Sequence, residues 1–146
     1  MKRHSSLAPL SREHHGALIL AQLLKKRAPA YKGLPADLNG KADYAIQFYR
    51  NELIKHFDDE EKVVIKKIKG VNIDLDNLSG EIIVEHKELR NLFISIKNTN
   101  DLATHLDKLG CALEQHIRKE ERKFFPLIQE LCNQKLLSEI EQVLSV

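Results

Sequence analysis

Two cysteines in 146 residues cannot build a disulfide framework, so Cys111 and Cys132 read as free thiols and the chain as a protein of a reducing compartment. Proline and glycine are scarce too, four and six residues, and most lie between long periodic segments. That pattern excludes a loop-rich or low-complexity chain and points to helices. No stretch alternates apolar and polar residues for long enough to be a strand. No apolar run approaches the roughly 18–20 residues of a membrane span. The opening MKRHSSLAPLSREHH has basic residues but no apolar segment behind them, so it does not read as a secretory signal. Net charge is only +2, with lysine and glutamate interspersed, which leaves no basic surface to argue for nucleic acid. With 42% hydrophobic and 30% charged residues, the expectation is one soluble domain over 1–146, in the cytoplasm.

What is present is helical periodicity. A first helix is expected from an N-cap at Ser11, after Pro9, to about Arg27, followed by a loop over 28–40. A second runs from about Lys41 to Lys69 and stops at Gly70. VNIDLDNLSG is polar and reads as a loop. A third helix covers Glu81–Lys97. A fourth runs from an N-cap at Asp101 to Phe125, where Pro126 interrupts it, and a short terminal helix follows. The expected fold is all-α, an antiparallel up-down four-helix bundle with a short additional C-terminal helix.

The apolar seams of these helices carry polar residues at matching places. The second helix has Ile46, Tyr49, Leu53, His56, Glu60 and Val63 at 3–4 spacing; the fourth has Leu102, Leu106, Leu109, Leu113, His116 and Glu120. The third has Ile82, His86, Leu89, Phe93 and Ile96. Residues i and i+4 share a helix face, so His56 with Glu60, and His116 with Glu120, each point an imidazole and a carboxylate at one interior spot. Buried without partners, such groups cost several kcal/mol, and metal coordination removes that cost.

The two stretches also match each other. HFDDEEKVV at 56–64 and HIRKEERKF at 116–124 both read H-[FI]-x-x-E-E-[KR]-x-[VF]. A second internal match joins the first and third helices, E-H-x-x-A-x-x-L from Glu13 and E-H-x-x-L-x-x-L from Glu85. The chain therefore reads as a pseudo-twofold bundle. His14, His56, His86 and His116 with Glu60 and Glu120 supply enough donors for two metal ions, of iron, zinc or manganese. The depths of the four histidines along their helices agree to about a turn, except where the loop expected over 71–80 leaves His86 close to its helix start.

Several residues compete or flank. His15 is the alternate to His14, on a poorer seam of Ser11, Leu18, Gln22 and Lys26. His105 reads as surface and His4 as a disordered terminus. Glu61 and Glu121 read as solvated or as partners of the ligand residues, and Glu121 as a substitute for Glu120 if the fourth helix is irregular. Glu13 and Glu85 read as surface, with a hydrogen bond to an imidazole as the alternative. Cys111 reads as packing, and Tyr49 as core or site lining.

The stretches LSREHHGALILAQLL, LIKHFDDEEKVV, VEHKELRNLF and LEQHIRKEERKFFPLI resemble the hemerythrin-like, or HHE cation-binding, family over about residues 7–130. The resemblance implies a four-helix bundle holding a non-haem di-iron centre, with His14, His56, His86 and His116 as terminal ligands and Glu60 and Glu120 bridging. It implies binding of O2, NO or peroxide for sensing, storage or iron handling rather than turnover. A redox-stress di-iron enzyme or iron–sulfur repair protein is the alternative, and a metal-free structural bundle a further one. Oxygen-carrying members have a second histidine four residues after the third-helix ligand, where this chain has Arg90, and a last acid five rather than four residues after the last histidine. The chain is thus more similar to the bacterial HHE branch. No protein partner is indicated.

Overall fold

A computed structural model describes residues 2–145, and among them there are helices and no strand. Four long helices are present with one shorter one. Helix α1 is Ala8–Leu24. Helix α2, residues 38–68, runs on through Leu38–Phe48, Tyr49–Leu53, Ile54–Asp59, Glu60–Ile65 and Lys66–Ile68. Helix α3 is Ile73–Ile94, closed by a 3-10 turn Ser95–Asn98. Helix α4, residues 102–131, joins Leu102–Lys119, Glu120–Phe124 and Phe125–Leu131. Helix α5 is Gln134–Leu144.

The starts of α2, α3, α4 and α5 are set by short polar side chains that satisfy free backbone N–H groups, each worth about 1 kcal/mol. Asp37 accepts from Gly40 N, Asn72 from Asp74 N and Leu75 N, Asp101 from Thr104 N, and Asn133 from Leu136 N. Gly70, at φ +85°, lets the chain leave α2 in the left-handed region and gives its N–H to Asp76.

Four expectations are corrected here. VNIDLDNLSG is not a loop: Asn72 caps it, Asp74 and Asp76 sit in the first turn where the helix dipole favours them, and Leu75, Ser79 and Ile82 face inward. With α3 starting at Ile73, His86 lies as deep in its helix as His56 lies from the end of α2, and the mismatch of depths disappears. Ser11 is not an N-cap, because α1 begins at Ala8 with Pro9 in its first turn; α1 also stops at Leu24 rather than near Arg27. Pro126 does not end α4. The turn before it, Glu120–Phe124, is π-helical, and the helix continues to Leu131. Such a widened turn already gives up regular i→i−4 bonding, which is what proline removes.

The apolar interior has two parts. One gathers Leu20, Leu24, Leu53, Phe57, Leu89, Phe93, Leu106, Leu109 and Leu113. The other gathers Leu7, Leu10, Ile68, Leu75, Ile82, Phe124, Phe125, Ile128 and Ile140. Each fully buried side chain of this size contributes about 1.5–3 kcal/mol. Helix α1 lies close against α4 because Gly110 has no side chain: a Cβ there would stand 2.6 Å from the Ala21 carbonyl oxygen and 3.1 Å from Leu24 Cβ. This close approach brings the His14 end of α1 within reach of Glu120 and Glu121.

Candidate metal centre

In the bundle interior lie buried side chains that are not apolar: His14, His56, His86 and His116 are at most 3% exposed, and Glu60 and Glu120 are 0% exposed. His15, the alternate on α1, is exposed. Each long helix contributes one histidine, and α2 and α4 add one glutamate each.

Local backbone helps to place the glutamates. Glu60 and Glu120 are each the first residue of a π-helical turn, Glu60–Ile65 and Glu120–Phe124. Seating the carboxylate where the helix widens shifts the seam that follows. Beyond Glu60 the buried residues are Val64 and Ile65, with the expected Val63 only half-buried; beyond Glu120 they are Phe124 and Phe125. The repeat in sequence is thus a repeat in backbone irregularity.

The inner nitrogens converge on the two carboxylates. His86 Nε2 is 3.0 Å from Glu60 Oε1, and His14 Nε2 is 2.9 Å from Glu120 Oε1. His56 Nε2 is 3.4 Å from Glu60 Oε2, and His116 Nε2 is 3.5 Å from Glu120 Oε1. Two overlapping quartets result: His14, His56, Glu60 and Glu120, and His86, His116, Glu60 and Glu120, with donor atoms within 4.8 Å of one another in each. Both glutamates belong to both quartets. With the imidazole protons on Nδ1, both oxygens of Glu60, both of Glu120, and Nε2 of His86 and His116 are buried with no hydrogen-bond partner. Unpaired groups of this kind cost about 1–3 kcal/mol each, so their convergence on one spot fits a bound cation.

The outer nitrogens form a closed ring. His56 Nδ1 donates to Glu13 (2.9 Å), His86 Nδ1 to Glu61 (2.6 Å), His116 Nδ1 to Glu85 (2.7 Å) and His14 Nδ1 to Glu121 (2.6 Å). Each helix gives a carboxylate to the imidazole of the next, α1 to α2, α2 to α3, α3 to α4, and α4 back to α1. A carboxylate can only accept, so the proton stays on Nδ1 and the Nε2 lone pair is left for the interior. Glu13 and Glu85, read as surface with a hydrogen bond to an imidazole as the alternative, make that bond, Glu13 while remaining exposed, and Glu61 and Glu121 complete the ring. The signal was in the sequence: each of the four glutamates is adjacent to a histidine or glutamate of the inner set. The expectations for His105 and His4 move, and the core reading of Tyr49 holds. His105 is half-buried and reaches the Leu92 carbonyl (2.7 Å), and His4 is held by Ser6 and Gln134. Tyr49 stacks on Phe93 at 4.7 Å and fills core. Arg90 pairs outward with Glu61 (2.9 Å) and Asp58 (3.5 Å).

Without a cation, protons do part of its work. Burial alone would lower the pKa of His14, but Glu120 and Glu121 beside it raise it to about 9. Glu60 and Glu61 do the same for His86 against the same burial penalty, again to about 9, and His56 is also raised well above its ordinary value. Burial would raise Glu60, but His56 and His86 hold it well below the usual range; Glu120 is raised by burial and by the charge of Glu60.

The family model described as the hemerythrin HHE cation binding domain matches residues 5–128. The chain belongs to this family. As a hemerythrin-like HHE domain it is expected to bind metal cations, and the His/Glu cluster lies wholly inside the matched region. Comparison with curated proteins and with solved structures returned no significant match. No helix among the described residues is long and apolar enough to cross a membrane.

Proposed function

We propose that the chain is a single hemerythrin-like domain, an antiparallel up-down bundle that holds two iron ions and binds O2, NO or peroxide at them, for sensing, storage or iron handling. His14, His56, His86 and His116 would be terminal ligands, and Glu60 and Glu120 would bridge. The observation that carries this reading is the sharing of both glutamates by both histidine pairs, with all four carboxylate oxygens buried and unpartnered.

Imidazole and carboxylate donors suit iron, and zinc or manganese as well. When bound, a pair of iron ions supplies reversible small-ligand binding and one-electron chemistry. The protein's own part is positional. The outer carboxylates fix each imidazole's tautomer and aim Nε2 inward, and such partners commonly change metal affinity 10- to 100-fold. Two imidazoles and two shared carboxylates for each ion would leave room for a small ligand. Phe57, stacked on His86 at 4.2 Å, and Phe125, stacked on His14 at 5.6 Å, supply apolar walls that limit water. To hold ions, His14, His56 and His86 would have to give up the protons that their carboxylate neighbours favour.

The test is anaerobic titration of the iron-loaded protein with NO, followed in the visible spectrum. A saturable change that a Glu60→Gln, Glu120→Gln double variant lacks, together with loss of iron from that variant, supports the reading. A loaded protein whose spectrum ignores NO contradicts the ligand-binding role.

A further inference from the structure

The two quartets share their glutamates but not their surroundings. Around the His86–His116 pair, both outer carboxylates are held by cations from within long helices. Arg90 on α3 holds Glu61 at 2.9 Å, and Lys119 on α4 holds Glu85 at 2.7 Å. Around the His14–His56 pair, Glu13 is 44% exposed and has no cation partner among the described residues. Glu121 has one, Arg3, which comes from the segment ahead of α1 and not from a helix.

Arg3 repeats the arrangement of Arg90 from a different source. Arg90 lies over the Phe57 ring at 5.5 Å, Phe57 stacks on His86, and Glu61 links Arg90 to His86. Arg3 lies over the Phe125 ring at 5.4 Å, Phe125 stacks on His14, and Glu121 links Arg3 to His14. Arg3 gives Nη2 to the Glu121 carbonyl (2.9 Å) and to Glu121 Oε1 (3.1 Å), and Nε to Ser11 (3.1 Å). Behind it Ser6 and Leu7 are buried, and residues 2–5 are held through side chains: Gln129 accepts from His4 N at 2.8 Å and donates to the Lys2 carbonyl at 3.0 Å, Gln134 bonds His4 at 3.1 Å, and Glu141 accepts from Ser5. Residues outside any helix and held by side-chain bonds open at lower cost than a helix packed in a bundle.

We infer that the two metal positions are unequal in lability: the ion on His14 and His56 is the one that leaves and exchanges first, and Arg3 on the N-terminal arm is the positioning residue that holds it. Opening the arm takes the cation from Glu121, leaves that carboxylate to Ser11 alone (2.8 Å), and so loosens the acceptor that positions His14 Nδ1. Nothing comparable is available at the other position. The clefts beside it, about 640 Å³ next to Glu61 and about 320 Å³ next to Glu85 and His116, end at carboxylates that Arg90 and Lys119 hold. The inference rests on the two-ion reading of the site.

The test is release of iron from anaerobically loaded protein to excess colorimetric ferrous chelator. Loading is measured first. The expected course has two phases of equal amplitude, one ion each. Arg3→Ala should speed the fast phase several-fold and leave the slow phase unchanged, less than about the 10- to 100-fold that direct partners of ligating imidazoles command, because Ser11 still holds Glu121. Arg90→Ala should speed the slow phase. Arg3→Lys should fall between, since it keeps the charge but lacks the planar fork that stacks and bonds together. Thermal melting of the stripped variants separates this from general loosening, because a structural role for Arg3 would speed both phases equally. Equal acceleration, a single phase, or no response to Arg3→Ala overturns the inference while leaving the two-ion site standing. Uptake of fewer than two ions by the parent protein overturns both.

Discussion

The two apolar parts of the interior and the polar layer of histidines and glutamates are buried alike but obey different rules. Leu106 and Phe93 are stabilised by removal from water alone, and any partner of the right shape suffices. Glu60 and His86 are equally buried and are stabilised only by specific charges in specific places. The first kind of burial makes a bundle, and the second makes a cluster of donors that could hold a metal cation. The difference shows in the orphaned oxygens of Glu60 and Glu120, which no rearrangement of apolar side chains would satisfy.

Removing metal should have the largest effect. An ion present at about a thousand times its dissociation constant stabilises by about 4 kcal/mol, which is on the order of 10 °C in Tm for a chain of this size. Melting with and without chelator checks this, and the gap should widen with pH. Below about pH 6.5 the protonated imidazoles stabilise the stripped protein, because their carboxylate partners exist only in the fold. That stabilisation is lost as pH rises through about 9, where His14 and His86 give up their protons. Metal affinity moves the opposite way over the same range, since the ions displace those protons. Melting of the stripped protein should therefore fall between pH 6.5 and 9 while the loaded protein holds.

An apolar substitution should not make this distinction. Leu106→Ala removes a fully buried side chain and should cost about 3 kcal/mol in stripped and loaded protein alike, with metal per folded chain unchanged. Denaturant melts of both forms would show it. If the loss appeared only in one form, the two kinds of burial would not be independent.

The smallest effect belongs to a surface network. Glu114 is held by Lys25, Arg118 and Gln22, and its pKa falls to about 2, chiefly through Lys25. Its contribution is present above its unfolded value near 4.3 and is lost as pH falls toward 2. Glu114→Gln should cost less than about 1 kcal/mol at neutral pH, without changing metal content, and should flatten the acid limb of the stability curve.

Much of this was legible in the sequence because the residues that break the apolar pattern do so periodically. His86 in a run of Ile82, Leu89 and Phe93, and His116 before Glu120, sit where only a buried residue belongs. The internal repeat made the four helices one arrangement. What stayed hidden had physical reasons. The start of α3 is written in Asp, Asn, Ser and Gly, poor helix formers, and it holds because Asn72 caps it and Leu75 and Ile82 are buried. The π-helical turns Glu60–Ile65 and Glu120–Phe124 show only in the repeated stretches that hold them and in the residues buried after each glutamate, Val64 with Ile65 and Phe124 with Phe125. The ring of outer carboxylates depends on which way Glu13, Glu61, Glu85 and Glu121 turn between helices, which spacing along one helix does not fix. Arg3, 118 residues ahead of Glu121 in the chain, meets it only through the fold.

The most direct test of the central claim is metal analysis of protein purified without air, with the visible spectrum taken before and after oxygen is admitted. The account predicts about two irons per chain, an absorption change on oxidation, and loss of the iron in a His116→Ala, Glu120→Ala variant that still folds. A helical, stable protein that binds no metal, or one stoichiometric in colourless zinc and indifferent to air, would contradict it.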